Sequence, residues 1–312
     1  MSPAIPSFDL SRARRRIAGD LDQRLSQVLE AQGFVGGPEV ARFEEGFAGY
    51  LGAAGCVGVA NGTDALVVAM KALDLPPGAE VIVPAFTFIA TGGAVAWAGG
   101  RPVFADVDPH TLCLDPAEVE RRVTEHTVGI VGVHLFGVPF DLAGLAEVCE
   151  RHGLWLVEDA AQAHGAAWVE RKAGTAGVLA IWSFYPSKNL GAFGDAGAVS
   201  GMDADLLTRV RRIANHGRAE HYRHLEVGTN SRLDGFQAAV LNCRLPLLEE
   251  GNERRRRIAG RYAEALSGLP DLELPEVPEG RVPVWHQYTV RTSRRDDLQK
   301  HLAGEGIGSA VF

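Results

Sequence analysis

The sequence predicts an α/β protein whose mostly parallel sheet is covered by helices on both faces. Strand and helix patterns alternate repeatedly to about residue 214, and the connections between them are short. From Ser231 the pattern changes to a long helix, a segment rich in prolines and glutamates, and a smaller α+β unit. We therefore expect a large domain over residues 1–245, with an N-terminal helical segment, and a small C-terminal domain over residues 246–312.

Composition narrows the class of protein. The 312 residues carry a formal net charge of −8, and 46% of them are hydrophobic. Such a chain can bury a large core, and its acidic total disfavours broad electrostatic binding of nucleic acid or anionic lipid. An anionic small substrate stays compatible with this charge, because a local basic pocket can exist in an acidic protein.

The cysteines and the termini indicate the compartment. The four cysteines lie far apart without metal-type spacing, which predicts free thiols of a reducing compartment: Cys56, Cys113, Cys149 and Cys243. The N-terminal residues lack the apolar core of a secretory signal, and no run approaches the ~20 apolar residues of a membrane helix. We therefore expect a cytoplasmic protein.

The first elements follow from turn and capping residues. Pro38 suits the first turn of a helix. One face of that helix is apolar: Val40, Phe43, Phe47 and Leu51. A strand over 56–60 then passes directly into a helix from 62 to about 73. The Asn-Gly-Thr-Asp connection exposes backbone N–H groups that could bind an anion, although Asn61 or Thr63 could equally be an ordinary N-cap.

Further elements follow in order along the chain. Strands are predicted at 80–83, 103–105, 128–134, 155–159 and 198–200, and helices at 116–123, 141–152 and 204–214. Phe86 and Phe88 come just after a strand, where an aromatic side chain could belong to the core or stack on a planar cofactor ring.

The C-terminal part has a different pattern. Pro246 should kink or split the helical pattern over 231–266. The four arginines 254–257 would spread around a helix, which predicts a solvated face. A strand at 288–291 and a helix at 296–303 complete the expected small domain.

Two stretches could carry chemistry. The apolar run that begins at Val178 breaks at Pro186, which leaves Lys188 in a loop at a strand end. The strand over 155–159 ends in a carboxylate, Asp159. A single lysine is usually solvated, but an aldehyde cofactor that forms a Schiff base with lysine also needs an acidic partner for its pyridinium nitrogen. Lys188 and Asp159 would supply both groups.

Common catalytic motifs are missing from the sequence. It contains no GxxxxGK[ST], HExxH, GxSxG or strand-to-helix GxGxxG pattern, and its histidines are not spaced as a metal-ligand pair on a helix. We expect no metal site.

Five other motifs occur in a characteristic order. They are NGTDAL at 61–66, FTFIAT at 86–91, EDAAQAHG at 158–165, SFYPSKNLG at 183–191 and GTNSRLD at 228–234. Together they resemble the DegT/StrS group of nucleotide-sugar aminotransferases, from about residue 33 to the end of the chain. The resemblance implies a fold-type-I, aspartate-aminotransferase-like architecture with a seven-stranded sheet, the cofactor pyridoxal 5'-phosphate (PLP), and a homodimer with shared active sites.

The resemblance assigns roles around the cofactor ring. Lys188 matches the lysine that holds PLP as a Schiff base, and Asp159 matches the carboxylate that pairs with the pyridinium nitrogen. Gln162 matches the amide near the ring hydroxyl. Phe88 stands where the family stacks an aromatic side chain on the ring.

The resemblance also assigns the cofactor phosphate. Gly62, Thr63 and Ser183 match phosphate-binding positions. Asn230 matches a residue that reaches the phosphate bound by the neighbouring subunit. Helix-start amides together with a serine hydroxyl can hold a phosphate without a P-loop.

The implied reaction is transamination of a nucleotide-linked keto-deoxysugar, with L-glutamate as donor. Lys188 argues against the dehydratases of the family, which carry histidine there. The surrounding sequence is most similar to members that aminate dTDP-3-keto-6-deoxyhexoses, although Ser187 is more often glycine in them. Family members continue well past the position of Gly308, so we expect the small domain, which ends at Phe312, to be incomplete.

Two other hypotheses differ in class. One is a PLP aminotransferase that acts on a cyclitol or another keto substrate. The other is a non-catalytic PLP-binding paralogue, which the intact Lys188, Asp159 and Ser183 disfavour. The segment over 216–223 contains side chains that could contact an anionic sugar nucleotide or simply form an exposed loop.

Overall fold

The computed structural model describes residues 5–312, which form a seven-stranded sheet with helices on both faces. The helices are α1 (Ser11–Ala31), α2 (Pro38–Leu51), α3 (Gly62–Ala72), α4 (Ile89–Trp97), α5 (Pro116–Arg122), α6 (Leu142–His152), α7 (Ala204–Ala214), α8 (Gly235–Arg244), α9 (Leu248–Leu266) and α10 (Arg295–Gly304). The strands are β1 (Gly55–Val59), β2 (Glu80–Pro84), β3 (Arg101–Ala105), β4 (Thr127–Val133), β5 (Trp155–Asp159), β6 (Ala167–Trp168), β7 (Arg171–Lys172), β8 (Leu179–Ser183), β9 (Gly197–Gly201), β10 (Arg218–Glu220), β11 (Arg223–His224) and β12 (Arg281–Val282).

The large sheet has the strand order β1-β9-β8-β5-β4-β2-β3. Strand β9 runs antiparallel to both of its neighbours, and the other pairings are parallel. Six strands therefore point the same way, and the loops that follow them meet at one edge of the sheet. This confirms the mostly parallel α/β fold that the strand–helix alternation predicts.

Side chains of the central strands alternate between the two faces of the sheet. In β2, Val81 and Val83 join a core beneath α3, α4 and α7, while Ile82 between them packs in a core beneath α5 and α6. In β8, Ile181 joins the first core, and Trp182 packs edge-on against α2 on the opposite face. Burial on both faces explains why these strands are apolar throughout.

The predicted break at Pro246 is confirmed, and capping residues set other helix ends. The Asp115 carboxylate accepts the N–H of Ala117 at the start of α5, and Gly153 ends α6 with a left-handed φ of 66°. Pro246 divides the long helical pattern into α8 and α9, with a short 3₁₀ turn at Leu245–Leu247 between them. The four cysteines are free and buried, as expected.

Two predictions in the C-terminal part are wrong. Residues 288–291 do not form a strand: only Arg291 pairs, in one antiparallel bridge with Glu273. Extending that bridge would pair residue 289 with Pro275, which lacks the N–H that a ladder needs. The arginine run is not wholly solvated either, because the Arg255 guanidinium turns inward and donates to the carbonyl of Trp285 at 2.9 Å.

Within residues 5–312, no helix combines the length and the apolar character that crossing a bilayer requires.

Candidate active site

Asp159, Ser183, Lys188 and Gly62 lie at strand ends and in the adjoining loops at the carboxyl edge of the sheet. Asp159 is the last residue of β5, and Ser183 is the last residue of β8. Lys188 follows in the loop after β8, and α3 begins at Gly62, directly after β1. Because β1, β5 and β8 run in the same direction, their loops converge as the parallel topology requires.

Asp159 is a buried carboxylate with two hydrogen-bond donors. It is 5% exposed, Thr91 Oγ1 donates to its Oδ2 at 2.9 Å, and the Ala161 N–H donates to its Oδ1 at 3.2 Å. Burial raises the pKa of Asp159, and the hydrogen bonds and the positive charge of Lys188 oppose that rise only in part. The carboxylate forms no ion pair within 4 Å among the described residues. Its environment therefore favours a cationic partner.

Lys188 is the complementary group. Burial lowers the pKa of its amine, and the nearby Asp159 carboxylate opposes that effect. The Lys188 backbone N–H donates to the Tyr185 carbonyl at 2.8 Å, which fixes the turn, while in residues 5–312 its Nζ makes no hydrogen bond. A desolvated amine with a lowered pKa has a larger neutral fraction near pH 7, which is the form that attacks a carbonyl carbon.

A close backbone contact lies beside these groups. A Cβ atom added to Gly62 would come within 2.6 Å of the Ser183 Cβ, so only glycine lets the start of α3 approach the end of β8 this closely. Asn61 caps α3 by accepting the Asp64 N–H at 2.8 Å, which supports the N-cap interpretation of that residue. The remaining N–H groups of the first turn of α3 and the Ser183 hydroxyl can still receive an anion.

Gln162 and Phe88 lie near the same loops. The Gln162 Oε1 accepts the Phe136 N–H at 2.6 Å, which identifies the oxygen of the amide and leaves its NH₂ group to donate. Phe88 precedes α4, three residues before Thr91, and its side chain is 67% exposed. The structure therefore excludes Phe88 from the core and leaves its ring available for stacking.

Asn230 is not brought into hydrogen-bonding contact with these residues. It is exposed and forms a backbone bridge with Asn215. Its neighbour Ser231 is buried, and the Ser231 hydroxyl accepts the Ala60 N–H at 3.1 Å. The Asn230 backbone thus lies close to the start of α3, but its side chain faces the surface.

Glu158, the neighbour of Asp159 in β5, is the centre of a buried hydrogen-bond network that was not predicted from the sequence. Its carboxylate accepts His134 Nε2 at 2.9 Å and three backbone N–H groups of the 174–177 loop. Burial would raise the pKa of Glu158, but the hydrogen bond and charge of His134 and the backbone donors outweigh it and hold the pKa low. Two carboxylates ending an apolar strand were the signal that could have indicated this network.

His164 is fully buried beside Trp182 and Phe184. Neither of its ring nitrogens finds a hydrogen-bond partner in the described part of the chain. Burial, followed by the positive charge of Lys188, lowers the pKa of His164 to about 3, so the ring is neutral near pH 7.

No cluster of three histidine, cysteine or acidic side chains that could hold a metal ion occurs in residues 5–312.

Comparison with known proteins assigns the chain to a family. A sequence profile of the DegT/DnrJ/EryC1/StrS aminotransferase family matches residues 15–312. The dTDP-3-amino-3,4,6-trideoxy-alpha-D-glucose transaminase of Streptomyces venezuelae is 45% identical over 308 residues, which are 98% of this chain and 81% of that enzyme. The UDP-N-acetyl-3-dehydro-alpha-D-glucosamine 3-aminotransferase of Acidithiobacillus ferrooxidans is 43% identical over 309 residues, covering 99% of this chain and 84% of that enzyme.

Solved structures agree with this assignment. DesV of S. venezuelae has a TM-score of 0.96 and 45% identity over 98% of this chain and 83% of its own. NtdA of Bacillus subtilis, solved with bound cofactor PMP, has a TM-score of 0.88 and 31% identity over 98% of this chain and 71% of its own. The expected fold-type-I architecture and the resemblance to this family are thereby confirmed. The chain belongs to the DegT/DnrJ/EryC1/StrS aminotransferase family and is a PLP-dependent aminotransferase.

Proposed function

We propose that this protein transfers an amino group from L-glutamate to a nucleotide-linked keto-deoxysugar, a dTDP-3-keto-6-deoxyhexose, and forms the 3-amino sugar. The observation that carries the proposal is the pair of the half-buried Lys188 and the buried Asp159 at one sheet edge, beside the contact between Gly62 and Ser183. The S. venezuelae relative acts on a dTDP-linked sugar, which supports this substrate class. The product would enter amino-sugar biosynthesis.

The residues present fit PLP. The buried Asp159 carboxylate has a raised pKa and lacks a cation in contact within the described residues, so a pyridinium nitrogen would suit it. The Gly62–Ser183 contact and the N–H groups at the start of α3, including that of Thr63, suit a phosphate. Lys188 would hold the cofactor covalently through Nζ.

When bound, PLP supplies an electron-accepting ring that lets the donor amino acid lose its Cα proton. Asp159, ionised, would keep the ring nitrogen protonated. Lys188 Nζ, displaced by the donor amine, would move the proton at Cα, a task for which its lowered pKa suits it. The free NH₂ group of Gln162 would donate to the ring hydroxyl oxygen, and the exposed Phe88 would cover the ring.

We further propose a homodimer in which Asn230 contributes to the partner's site. Asn230 is exposed and lies outside the cluster of its own chain, which supports a role across an interface. Large apolar side chains are also exposed within or near the site motifs: Phe88, Ile89, Phe193, Tyr222 and Val227. The four free, buried cysteines support our expectation of a cytoplasmic protein.

The test is an absorbance spectrum of the purified protein with PLP. We expect a visible band that L-glutamate abolishes and that a dTDP-3-keto-6-deoxyhexose restores. UDP-linked keto sugars and a keto cyclitol serve as competing substrates. A band that glutamate leaves unchanged would refute the donor, and restoration by the cyclitol alone would refute the substrate class.

Two variants test the site. We expect Lys188→Ala to lose the visible band and turnover while its circular dichroism spectrum stays native.

Asn230→Ala should weaken PLP binding. If Asn230 serves the partner's site, mixed dimers of the two variants contain one site with both changes and one intact site, so mixing should restore part of the activity. Mixtures that stay inactive, although exchange of subunits is demonstrated, would contradict a shared site.

A further inference from the structure

A single buried asparagine on α9 connects the loop that carries Lys188 with the loop that follows Asp159. Asn252 is 1% exposed. Its Oδ1 accepts the side-chain NH₂ of Asn189, the residue after Lys188, at 2.9 Å. Its own Nδ2 donates to the carbonyl of His164, in the loop that follows Asp159, at 2.8 Å. One amide group therefore contacts both loops.

The network continues to a third segment. The Asn189 Nδ2 also donates to the carbonyl of Val284 at 2.9 Å, which uses its second N–H. The orientation of each side-chain amide in this hydrogen-bond network is fixed, because carbonyl oxygens can only accept and NH₂ groups can only donate. The direction runs from the Asn189 NH₂ to the Asn252 oxygen, and from the Asn252 NH₂ to the His164 oxygen.

The surroundings leave little freedom for replacement of this amide. A Cβ atom added to Gly165 would lie 2.6 Å from the Asn252 Nδ2, so the backbone approaches the amide closely. At 1% exposure, bulk water cannot take over a lost hydrogen bond without rearrangement. A hydrophobic residue at this position would leave the His164 carbonyl without its side-chain donor.

We propose that Asn252 is a positioning residue, which holds the Lys188 loop at a fixed separation from the Asp159 loop. The inference rests on the proposed roles of Lys188 and Asp159. It assigns a part of the active site to a helix that lies far along the chain from both motifs. A shift of about 1 Å in a catalytic group can cost 10²-fold in rate, so a residue that fixes this separation affects catalysis without touching the cofactor.

The experiment compares Asn252→Leu and Asn252→Ser with a matched control, Asn242→Leu. Asn242 lies on α8 and donates to the backbone and side chain of Glu39, so its loss also removes partly buried hydrogen bonds, but these are made to α2 and not to either site loop. Four quantities are measured: the Kd of PLP for the apoprotein, the pH midpoint of the visible band of bound PLP, kcat, and KM for glutamate. Urea unfolding reports the stability of each variant.

For both Asn252 variants we expect kcat about 10²-fold lower, little change in KM, and a shifted pH midpoint of the band. The PLP Kd should rise about tenfold, as the loss of one or two hydrogen bonds that preorganise the site would give. The Asn242→Leu control should lose stability but keep the wild-type Kd and midpoint. The serine variant leaves room for water, so that the test does not depend on the leucine variant folding.

The outcomes separate this inference from the proposed function. If the visible band of the wild type persists in Lys188→Ala, the role of Lys188 is refuted, and with it both the proposed function and the positioning role of Asn252. A band that depends on Lys188, together with Asn252 variants whose Kd, midpoint and kcat match the wild type, would overturn the positioning role alone. Equal effects of the Asn252 and Asn242 variants on the PLP Kd and on the pH midpoint of the band would show that Asn252 only stabilises the fold. This result would also overturn the positioning role.

Discussion

The neutral, buried His164 should make the stability of the protein depend on pH in a way that one substitution removes. Its pKa is about 3 in the folded protein and 6.5 in the unfolded reference. Between these values the unfolded chain binds a proton that the folded protein does not bind, so stability falls as the pH falls. The full stability is present above pH 6.5, and the loss continues down to about pH 3.

The magnitude follows from the two pKa values. Each pH unit below the unfolded value costs about 1.4 kcal/mol, and allowing for partial protonation near pH 6.5 the change from pH 7 to pH 5 costs about 2 kcal/mol. We expect His164→Phe to lose this component. Phenylalanine keeps the packing against Trp182 and Phe184, and any overpacking by its larger ring is the same at both pH values. His286, whose pKa burial lowers to about 2, acts in the same direction but is present in both proteins.

The assay is urea unfolding at pH 7 and pH 5 at one protein concentration, because oligomerisation would otherwise shift the midpoints. The wild type should lose about 2 kcal/mol more than His164→Phe between the two pH values. The exposed His126 provides the control: His126→Phe should behave as the wild type. Equal losses of stability by His164→Phe and the wild type on acidification would show that burial does not keep the His164 ring neutral in the folded protein.

Three other substitutions test the surroundings of the site. Gly62→Ala places a Cβ atom 2.6 Å from the Ser183 Cβ. We expect urea unfolding to show about 1–3 kcal/mol of destabilisation, and we expect a higher Kd for PLP. An unchanged Kd would contradict the proposed phosphate role. Thr91→Val removes the hydrogen-bond donor to Asp159 Oδ2, which should raise the pKa of that carboxyl further. The pH midpoint of the visible band should then move. An unchanged midpoint would show that this hydrogen bond does not affect the carboxylate. Glu158→Gln turns an NH₂ group toward hydrogen-bond donors, so the free energy of unfolding should fall by about 2–3 kcal/mol. The maximum of the visible band should not move. A shifted maximum would assign Glu158 to the cofactor site instead.

Local rules were sufficient where neighbouring residues decide the structure. The caps of α5 and α6, the break at Pro246 and the alternation of buried strands follow from residues within a few positions of each other. Candidate residues at strand ends could also be predicted, because the parallel topology brings every such loop to the same edge. Asp159 and Lys188 were predicted as candidates in this way, and the structure places one at the end of β5 and the other in the loop after β8, at that edge.

Contacts between distant segments could not be predicted from the pattern. Thr91 and Asp159 are 68 residues apart, and Asn189 and Asn252 are 63 residues apart. Nothing in the local sequence says which helix lies over which loop, so a buried threonine or asparagine appears as an ordinary helix residue. The incorrect strand at 288–291 has the same origin: its β-favouring residues say nothing about a partner, and Pro275 blocks the available one.

The same burial that prepares the site also destabilises the protein without its cofactor. The folded pKa of Asp159 lies above its unfolded value, so this carboxyl lowers stability at every pH above that unfolded value. The folded pKa of Lys188 lies below its unfolded value, so this amine lowers stability at every pH below the unfolded value. Both costs are present at pH 7. A ligand with a cationic ring nitrogen and an aldehyde would relieve the first by pairing and the second by consuming the amine. The apoprotein therefore contains two groups whose burial is only partly compensated, and we expect the proposed contacts of PLP with Asp159 and Lys188 to raise the stability of the protein.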